Sequence, residues 1–127
     1  MDIKAYWNAV LRQDADEMRS FFCSDAQICW HNTNERFSLE GFIRANCEYP
    51  GNWEGEFVRH ETADELVTTV VRVCDSENNM SFHVVSFIKL IGEKIISIDE
   101  YWGDDGSPPE WRQSLGLSGE IKGDIIS

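Results

Sequence analysis

The stretch MSFHVVSFIKLIGEKIISIDEYW, residues 80–102, decides the fold that the sequence predicts. On both sides of Gly92-Glu93, apolar and polar side chains alternate, and a period of two residues is typical of β-strands. A two-residue connection that contains glycine has the length of a hairpin turn, so the two halves are expected to pair antiparallel. Two further alternating segments precede this stretch and are joined to it by short turns. The predicted strands of this meander are residues 53–62, 65–74, 80–91 and 94–102.

The first part of the chain follows a helical spacing instead. Within residues 2–13 the apolar side chains recur three and four positions apart, which predicts an amphipathic helix. Asp14 and Glu17 have the spacing of a capping box, in which side chains satisfy free N–H groups at the start of a helix. A second, short helix is therefore expected directly after Asp14, ending near residue 23.

A strand and a third helix are predicted between this point and the meander. Residues 26–33 read as the strand, with apolar and polar side chains mixed on both of its faces. Ser38 is the expected N-cap of the helix, because Phe37 and Phe42 stand at the two positions of a hydrophobic staple. Pro50 ends this helix at about residue 48. Helices followed by an antiparallel meander indicate the α+β fold class.

The length and composition indicate a single domain. A chain of 127 residues, of which 42% are hydrophobic, can bury one core of ordinary size. We place this domain at residues 1–112. Residues 113–127 are rich in glycine and serine, and we predict an irregular tail there, held against the domain through the neighbouring Trp111.

The charge and the cysteines narrow the choice of partners. A net charge of −12 argues against nucleic acid and against an anionic membrane, because both attract lysine and arginine. The four cysteines form no CxxC pair, so neither a zinc site nor a redox motif is predicted, and no cofactor or other metal is expected. No apolar run approaches the roughly 20 residues that cross a membrane. We therefore expect a cytoplasmic protein with free thiols.

The turn lengths also predict which side chains share a face of the sheet. A two-residue turn between the last two strands places Val85 opposite Glu100 and His83 opposite Trp102. The four-residue loop before them places Arg72 opposite His83. On this register Arg72 and Glu100 form a buried pair that either orients a polar ligand or is purely structural. His83 beside them either moves protons or is satisfied by hydrogen bonds within the sheet.

The opposite face of the sheet is predicted to be too apolar to contact water. Three short helices can cover only one side, so we expect a second copy of the chain to cover this side and a homodimer to form. The residues predicted on this face are Val67, Val71, Val73, Phe82, Val84, Ile88, Ile95 and Tyr101.

Three segments together resemble a known family. They are the helix that carries Tyr6-Trp7 ahead of Asp14, the strand SDAQICWHN at residues 24–32, and the final strand IISIDEYWGDDG at residues 95–106. From residue 2 to residue 112 the chain resembles the nuclear transport factor 2-like superfamily, especially its SnoaL-like members. The resemblance implies a cone-shaped fold, in which three N-terminal helices pack on a curved antiparallel sheet and enclose a pocket for a small molecule.

The resemblance does not select one activity, because members of this superfamily include isomerases, dehydratases, polyketide cyclases, epoxide hydrolases and non-catalytic binding domains. Tyr6 matches the tyrosine of the ketosteroid isomerases, but Trp30 stands at the position of their catalytic base and cannot accept a proton. Arg72 and Glu100 match two positions of the epoxide hydrolases, whereas Cys74 stands where an aspartate is needed. Histidines and acids that could imitate a scytalone dehydratase site match only in residue type.

The function predicted from these observations is the binding of a small, largely apolar molecule in the cone. Isomerase, dehydratase or cyclase activity is left open; in a reaction, Glu100 or His83 would move the proton and Tyr6 would donate a hydrogen bond to an oxyanion. The alternative is a non-catalytic dimeric module that docks another protein, which a tightly packed interior would favour. Aromatic side chains, one amide and one arginine are predicted to contact the ligand. The aromatics would serve a packed core just as well, and the amide either bonds a backbone group inside the protein or contacts the ligand. These residues are Trp30, Asn46, Tyr49, Trp53, Arg72 and Trp102.

Overall fold

The structure, a computed structural model, describes residues 1–121, and its elements follow the predicted order with one strand and one short helix added. Two helices, two strands and a third helix come first, a four-stranded meander follows, and a short helix ends the described part. The helices are α1 (Ile3–Arg12), α2 (Ala15–Ser20), α3 (Leu39–Cys47) and α4 (Glu110–Ser114). The strands are β1 (Phe22–Trp30), β2 (Glu35–Ser38), β3 (Glu54–Ala63), β4 (Leu66–Asp75), β5 (Met80–Ile91) and β6 (Lys94–Asp104).

Both predicted N-caps are confirmed by their hydrogen bonds. The Asp14 carboxylate accepts from the backbone N–H of Glu17 at 3.2 Å, and the Ser38 hydroxyl accepts from the backbone N–H of Gly41 at 3.2 Å. Each bond satisfies an N–H group that the first turn of a helix leaves without a partner. The polar spacing in the sequence therefore fixed where α2 and α3 begin.

The six strands form one curved, open sheet in the order β2-β1-β6-β5-β4-β3. Neighbouring strands are antiparallel except β1 and β6, which run parallel, so the sheet is mixed and not wholly antiparallel as predicted. β1 starts at Phe22, four residues before its predicted start at Ala26. The short strand β2 was not predicted; it pairs with β1 after a reversal at Asn34, whose φ is 55°. The α+β class is confirmed.

The helices cover one face of the sheet, and the core lies between the two layers. This inner face is the very apolar one, so the prediction that it needs a second copy of the chain to cover it was wrong. Tyr101 was assigned to this face but lies on the other and is 45% exposed. The apolar sheet residues buried against the helices are Phe22, Ala26, Ile28, Val67, Val71, Val73, Val84, Ile88, Ile95 and Ile98.

A β-bulge in β6 explains why part of the predicted register failed. Leu90 opposes Ile95, as a two-residue turn predicts, but Lys89 opposes Ser97, which leaves Ile96 as an extra residue. One extra residue moves every later pair by one position, and side chains that were expected to share a face are then separated.

The bulge overturns the predicted convergence of polar side chains. Glu100 lies opposite Ser86 and faces the helices, as does Trp102. Arg72 does lie opposite His83, as predicted, but both belong to the outer face of the sheet. The buried Arg72–Glu100 pair therefore does not exist.

The chain leaves the sheet after β6. α4 spans the predicted domain boundary at residue 112, and Trp111 is 61% exposed, so it does not hold the tail against the domain. Residues 122–127 of the predicted tail lie outside the described residues. Among the helices that are described, none has the length and apolar content to span a bilayer.

Candidate functional site

A cavity of about 520 Å³ lies between the helical layer and the inner face of the sheet. Helices α1 and α3 form one wall, and strands β1, β4, β5 and β6 form the other. The volume falls within the roughly 300–1,000 Å³ that is usual for small-molecule sites. The lining residues are Trp7, Val10, Leu11, Trp30, Asn32, Thr33, Ala45, Asn46, Glu48, Tyr49, Pro50, Trp53, Val73, Phe82, Trp102 and Asp104.

Five aromatic side chains of the lining form a continuous series of ring contacts, which we call the aromatic belt. The ring centroids of Tyr49 and Trp53 are 5.2 Å apart, and those of Trp53 and Phe82 are 5.9 Å apart. Phe82 contacts Trp102 at 6.2 Å, and Trp102 contacts Trp30 at 6.3 Å. These are favourable separations for aromatic pairs, so the rings support one another around the space that they enclose.

The N–H groups of the four lining tryptophans are turned into the protein. Trp7 Nε1 donates to a threonine hydroxyl of β4 at 3.2 Å, and Trp30 Nε1 donates to Glu100 Oε1 at 3.0 Å. The Nε1 atoms of Trp53 and Trp102 are buried and have no hydrogen-bond partner among the described residues. The indoles therefore present mainly ring carbon to the cavity.

Glu100 is a buried carboxyl behind this wall, 2% exposed. Oε1 accepts the Trp30 hydrogen bond, and Oε2 accepts one from the Ser86 hydroxyl at 2.5 Å. Burial raises the pKa of Glu100 above its ordinary value, and these two donors offset part of the rise. The Trp102 N–H also favours the ionised form, although it lacks the geometry of a hydrogen bond. Glu100 thus holds Trp30 in place and does not itself line the cavity.

Tyr6 lies in the core next to this carboxyl. It is 1% exposed and packs edge-to-face on Trp7 and Phe22, each with a centroid distance of 5.8 Å. Burial, and secondly the nearby Glu100, raise the pKa of the Tyr6 phenol well above its ordinary value. Tyr6 does not line the cavity either.

His83 and Arg72 form a separate cluster with Asp105 on the outer face. His83 Nδ1 lies 2.5 Å from Asp105 Oδ1, and Arg72 Nε lies 3.9 Å from Asp105 Oδ2. Slight burial would raise the pKa of Asp105, but hydrogen bonds from Ser81 and His83 outweigh it and lower that pKa. The sheet separates this cluster from the cavity.

The end of α3 is fastened to α1 by amide side chains. Asn46 Nδ2 donates to the Val10 carbonyl at 2.9 Å, so Asn46 satisfies a buried backbone group as well as lining the cavity. Gln13 Nε2 donates to the carbonyls of Asn46 at 2.8 Å and Tyr49 at 2.6 Å. These bonds hold Tyr49, the first ring of the aromatic belt, against α1.

The cavity brings together five of the six predicted ligand-binding residues, and Arg72 is the exception. None of the residues predicted to be catalytic, Glu100, His83 and Tyr6, contributes to its lining. The roles of all nine residues remain predictions. The five predicted residues that do line the cavity are four aromatic side chains and one amide.

Three lining residues of chemical interest were not predicted. Phe82 was placed on the opposite face by the register error, although it shares its inward side with Val84. Trp7 stands in the apolar stripe of α1, and helical spacing does not distinguish a core residue from one at a cavity wall. Asp104 follows the predicted end of the last strand.

No protein-family model matches the sequence, and no curated protein matches it. Solved structures do match. A nuclear transport factor 2-like protein of unknown function from Burkholderia xenovorans is 21% identical, with a TM-score of 0.76 over 94% of this chain and 91% of that one. A proposed ketosteroid isomerase from Kribbella flavida is 18% identical, with a TM-score of 0.78 over 98% and 92% of the two chains.

A third structure is a proposed SnoaL-like polyketide cyclase from Shewanella putrefaciens. It is 12% identical, with a TM-score of 0.65 over 76% of this chain and 74% of that one. Identities at this level establish the fold and leave the reaction open. The chain has the nuclear transport factor 2-like fold, and the resemblance inferred from the sequence is confirmed at that level.

Proposed function

We propose that the protein binds a small, largely apolar molecule in the cavity. The observation that supports this most directly is the open volume of about 520 Å³ beside the aromatic belt. Protein interiors normally pack to the density of organic crystals, so a space of this size within a small domain is costly unless something occupies it. A module that only docks another protein would not need it. The proposed isomerase and the proposed cyclase of the same fold are named for reactions on small organic molecules.

Acid–base catalysis is a secondary proposal. Both oxygens of Glu100 are engaged by Trp30 and Ser86, and His83 lies across the sheet from the cavity. The geometry therefore supports binding better than proton transfer. If the protein has an activity that depends on Glu100, the Glu100→Gln variant will lose it, and retention of full activity would exclude this role.

The fluorescent ketone Prodan, a neutral and largely apolar probe, tests binding. Its emission moves to shorter wavelength in an apolar site, and we expect one Prodan molecule to bind per chain. Ala45 lines the cavity from α3, and Ala45→Phe should weaken binding at least about tenfold by filling the space. Ala63→Phe adds the same ring at an exposed position at the end of β3 and should leave binding unchanged. Equal affinity in the two variants, or no binding to the original protein, would contradict the proposal.

We also propose that the protein forms a homodimer through the outer face of its sheet. Phe87 and Tyr101 are 38% and 45% exposed there, with their ring centroids 6.1 Å apart. Val70 and Val85 lie beside them and are half-buried. Exposed aromatic and branched side chains grouped on one face favour contact with another protein surface. The cytoplasmic location stays a prediction from the sequence.

A further inference from the structure

The lining of the cavity has acidic side chains but neither lysine, arginine nor histidine. Glu48 is one of the acids, and Arg44 neutralises it across 2.5 Å at the exposed end of α3. Asp104 is the other. It is exposed at the end of β6, and its carboxylate makes no hydrogen bond or ion pair with the described residues. A ligand that carries a negative charge would therefore be repelled on entry.

The aromatic part of the lining attracts the opposite charge. Trp7, Trp30, Trp53 and Trp102 keep their N–H groups buried, so a hydrogen-bond acceptor finds few donors there. The face of an aromatic ring is negative, and indole binds a cation more strongly than the rings of tyrosine and phenylalanine do. Four indoles around one cavity of about 520 Å³ form a surface suited to a positive group.

The hydrogen bond between Trp30 and Glu100 strengthens this preference. Trp30 Nε1 donates to Glu100 Oε1 at 3.0 Å, and donation to a carboxylate draws electron density into the ring. Burial raises the pKa of Glu100, and a cation on the other side of the indole would favour the ionised form of this carboxyl. The buried acid would then contribute to binding without touching the ligand.

From these three observations we propose that the ligand of the cavity is an organic cation, a tertiary or quaternary ammonium whose remaining surface is apolar. This inference rests on the proposed function and names the class of molecule that the same cavity takes. A small inorganic cation does not suit the site, because ring carbon cannot replace the oxygen atoms of its hydration shell. An alkylated ammonium carries its charge on an apolar surface that fits the aromatic belt.

A pair of esters of equal shape provides the test. Benzoylcholine carries a trimethylammonium group, and 3,3-dimethylbutyl benzoate carries a tert-butyl group at the same position. Each is titrated against bound Prodan at low salt, and we expect benzoylcholine to displace it with a Kd at least about tenfold lower. The transfer of apolar surface from water into the cavity would by itself favour the neutral ester. Tighter binding of benzoylcholine therefore measures the contribution of the positive charge.

Two variants locate the preference in the cavity. Phe82→Leu keeps apolar bulk but removes a ring of the aromatic belt, and it should reduce the preference for benzoylcholine about threefold. Phe57→Leu changes the same residue type on β3, outside the lining, and should not alter the preference. Asp104→Asn should weaken the binding of benzoylcholine about threefold at low salt and less at high salt. Its control is Asp64→Asn in the β3–β4 turn, which should leave this binding unchanged.

The outcomes separate this inference from the proposed function. If Prodan binds and the neutral ester displaces it as well as benzoylcholine or better, the proposal of an ammonium ligand is overturned, while the proposed function stands. A preference for benzoylcholine that is unchanged in both Phe82→Leu and Asp104→Asn would also overturn it, since the cation would then bind elsewhere. Failure of Prodan to bind the original protein would overturn both proposals.

Discussion

Among single residues, Glu100 supports the wall of the cavity from behind. Its carboxyl is buried, positions Trp30 through one oxygen and accepts from Ser86 through the other. Removing a charged carboxyl from water costs free energy, and the two donors recover only part of it, which is why its pKa is raised. The folded protein therefore holds this proton more strongly than the unfolded chain does.

The raised pKa predicts how stability changes with pH. Below the ordinary value of 4.5, Glu100 is protonated in both states and its stabilising contribution is fully present. As pH rises through the folded-state pKa, that contribution is lost. Glu100→Gln cannot ionise, so its free energy of unfolding should rise relative to the original protein over this range, by about 1.4 kcal/mol per unit of pKa difference.

Urea denaturation at a series of pH values from 4 to 8 measures this difference. At the acidic end the variant should be slightly less stable. The glutamine amide has one oxygen that can accept, whereas its NH₂ group only donates, so it cannot accept from both Trp30 and Ser86. Glu54→Gln removes an exposed carboxyl on β3 and serves as the control, with no such trend expected. Parallel pH curves for Glu100→Gln and the original protein would show that Glu100 does not titrate abnormally.

Among the elements, the junction of α1 and α3 determines the shape of the cavity. Gln13 ends α1 with a φ of 57°, and its amide bonds the carbonyls of Asn46 and Tyr49. Gln13→Ala should lower the free energy of unfolding by about 1–2 kcal/mol, because two carbonyls lose their donor. It should also weaken Prodan binding, since Tyr49 is no longer held. Urea denaturation and fluorescence titration measure the two effects.

The control for this junction is Asn8→Ala on the exposed side of α1. It removes a similar amide that makes no hydrogen bond to α3. Stability and Prodan affinity should therefore both stay close to the original values. If Gln13→Ala were as stable as Asn8→Ala and bound Prodan equally well, the amide bonds would not be what fixes α3 against α1.

The strands show which level of structure the sequence could predict. Alternation and turn lengths located β3 to β6 to within about two residues, because these signals are local. The bulge at Ile96 has no comparable signal: isoleucine suits a regular strand, and the extra residue is accommodated because Ile95 and Ile98 both reach the core. Packing across the sheet, not local preference, therefore decided which side chains face the cavity.

For the whole molecule, the number of large aromatic residues predicted a cavity lining better than motifs predicted a reaction. Trp30, Trp53 and Trp102 were proposed because aromatic side chains with a few polar groups are typical of a ligand pocket, although they are equally typical of a packed core. Arg72 and His83 were misplaced because their assignment depended on register over a full strand. The sequence thus indicated which types of residue line the cavity. Which individual residues meet there depended on the pairing of the strands, which only the structure shows.

The net charge of −12 also bears on the charge of the proposed ligand. A negatively charged protein attracts cations from a distance of about 10 Å at moderate salt and repels anions. At the cavity this general field has the same sign as the charge of Asp104. The acidic composition, which argued against nucleic acid and an anionic membrane as partners, therefore also agrees with an ammonium ligand. It predicts that association of this ligand slows as salt rises.

The last prediction concerns the outer face and the assembly of two chains. At tens of micromolar, light scattering should give twice the chain mass of 14.6 kDa. Phe87→Lys places a charge among Tyr101, Val70 and Val85 and should shift the protein to monomer, because burying an unpaired charge opposes association. Leu115→Lys changes an exposed apolar residue beyond the sheet and should leave the mass unchanged. A monomeric original protein at this concentration would contradict the dimer, and the exposed Phe87 and Tyr101 would then belong to a solvated surface.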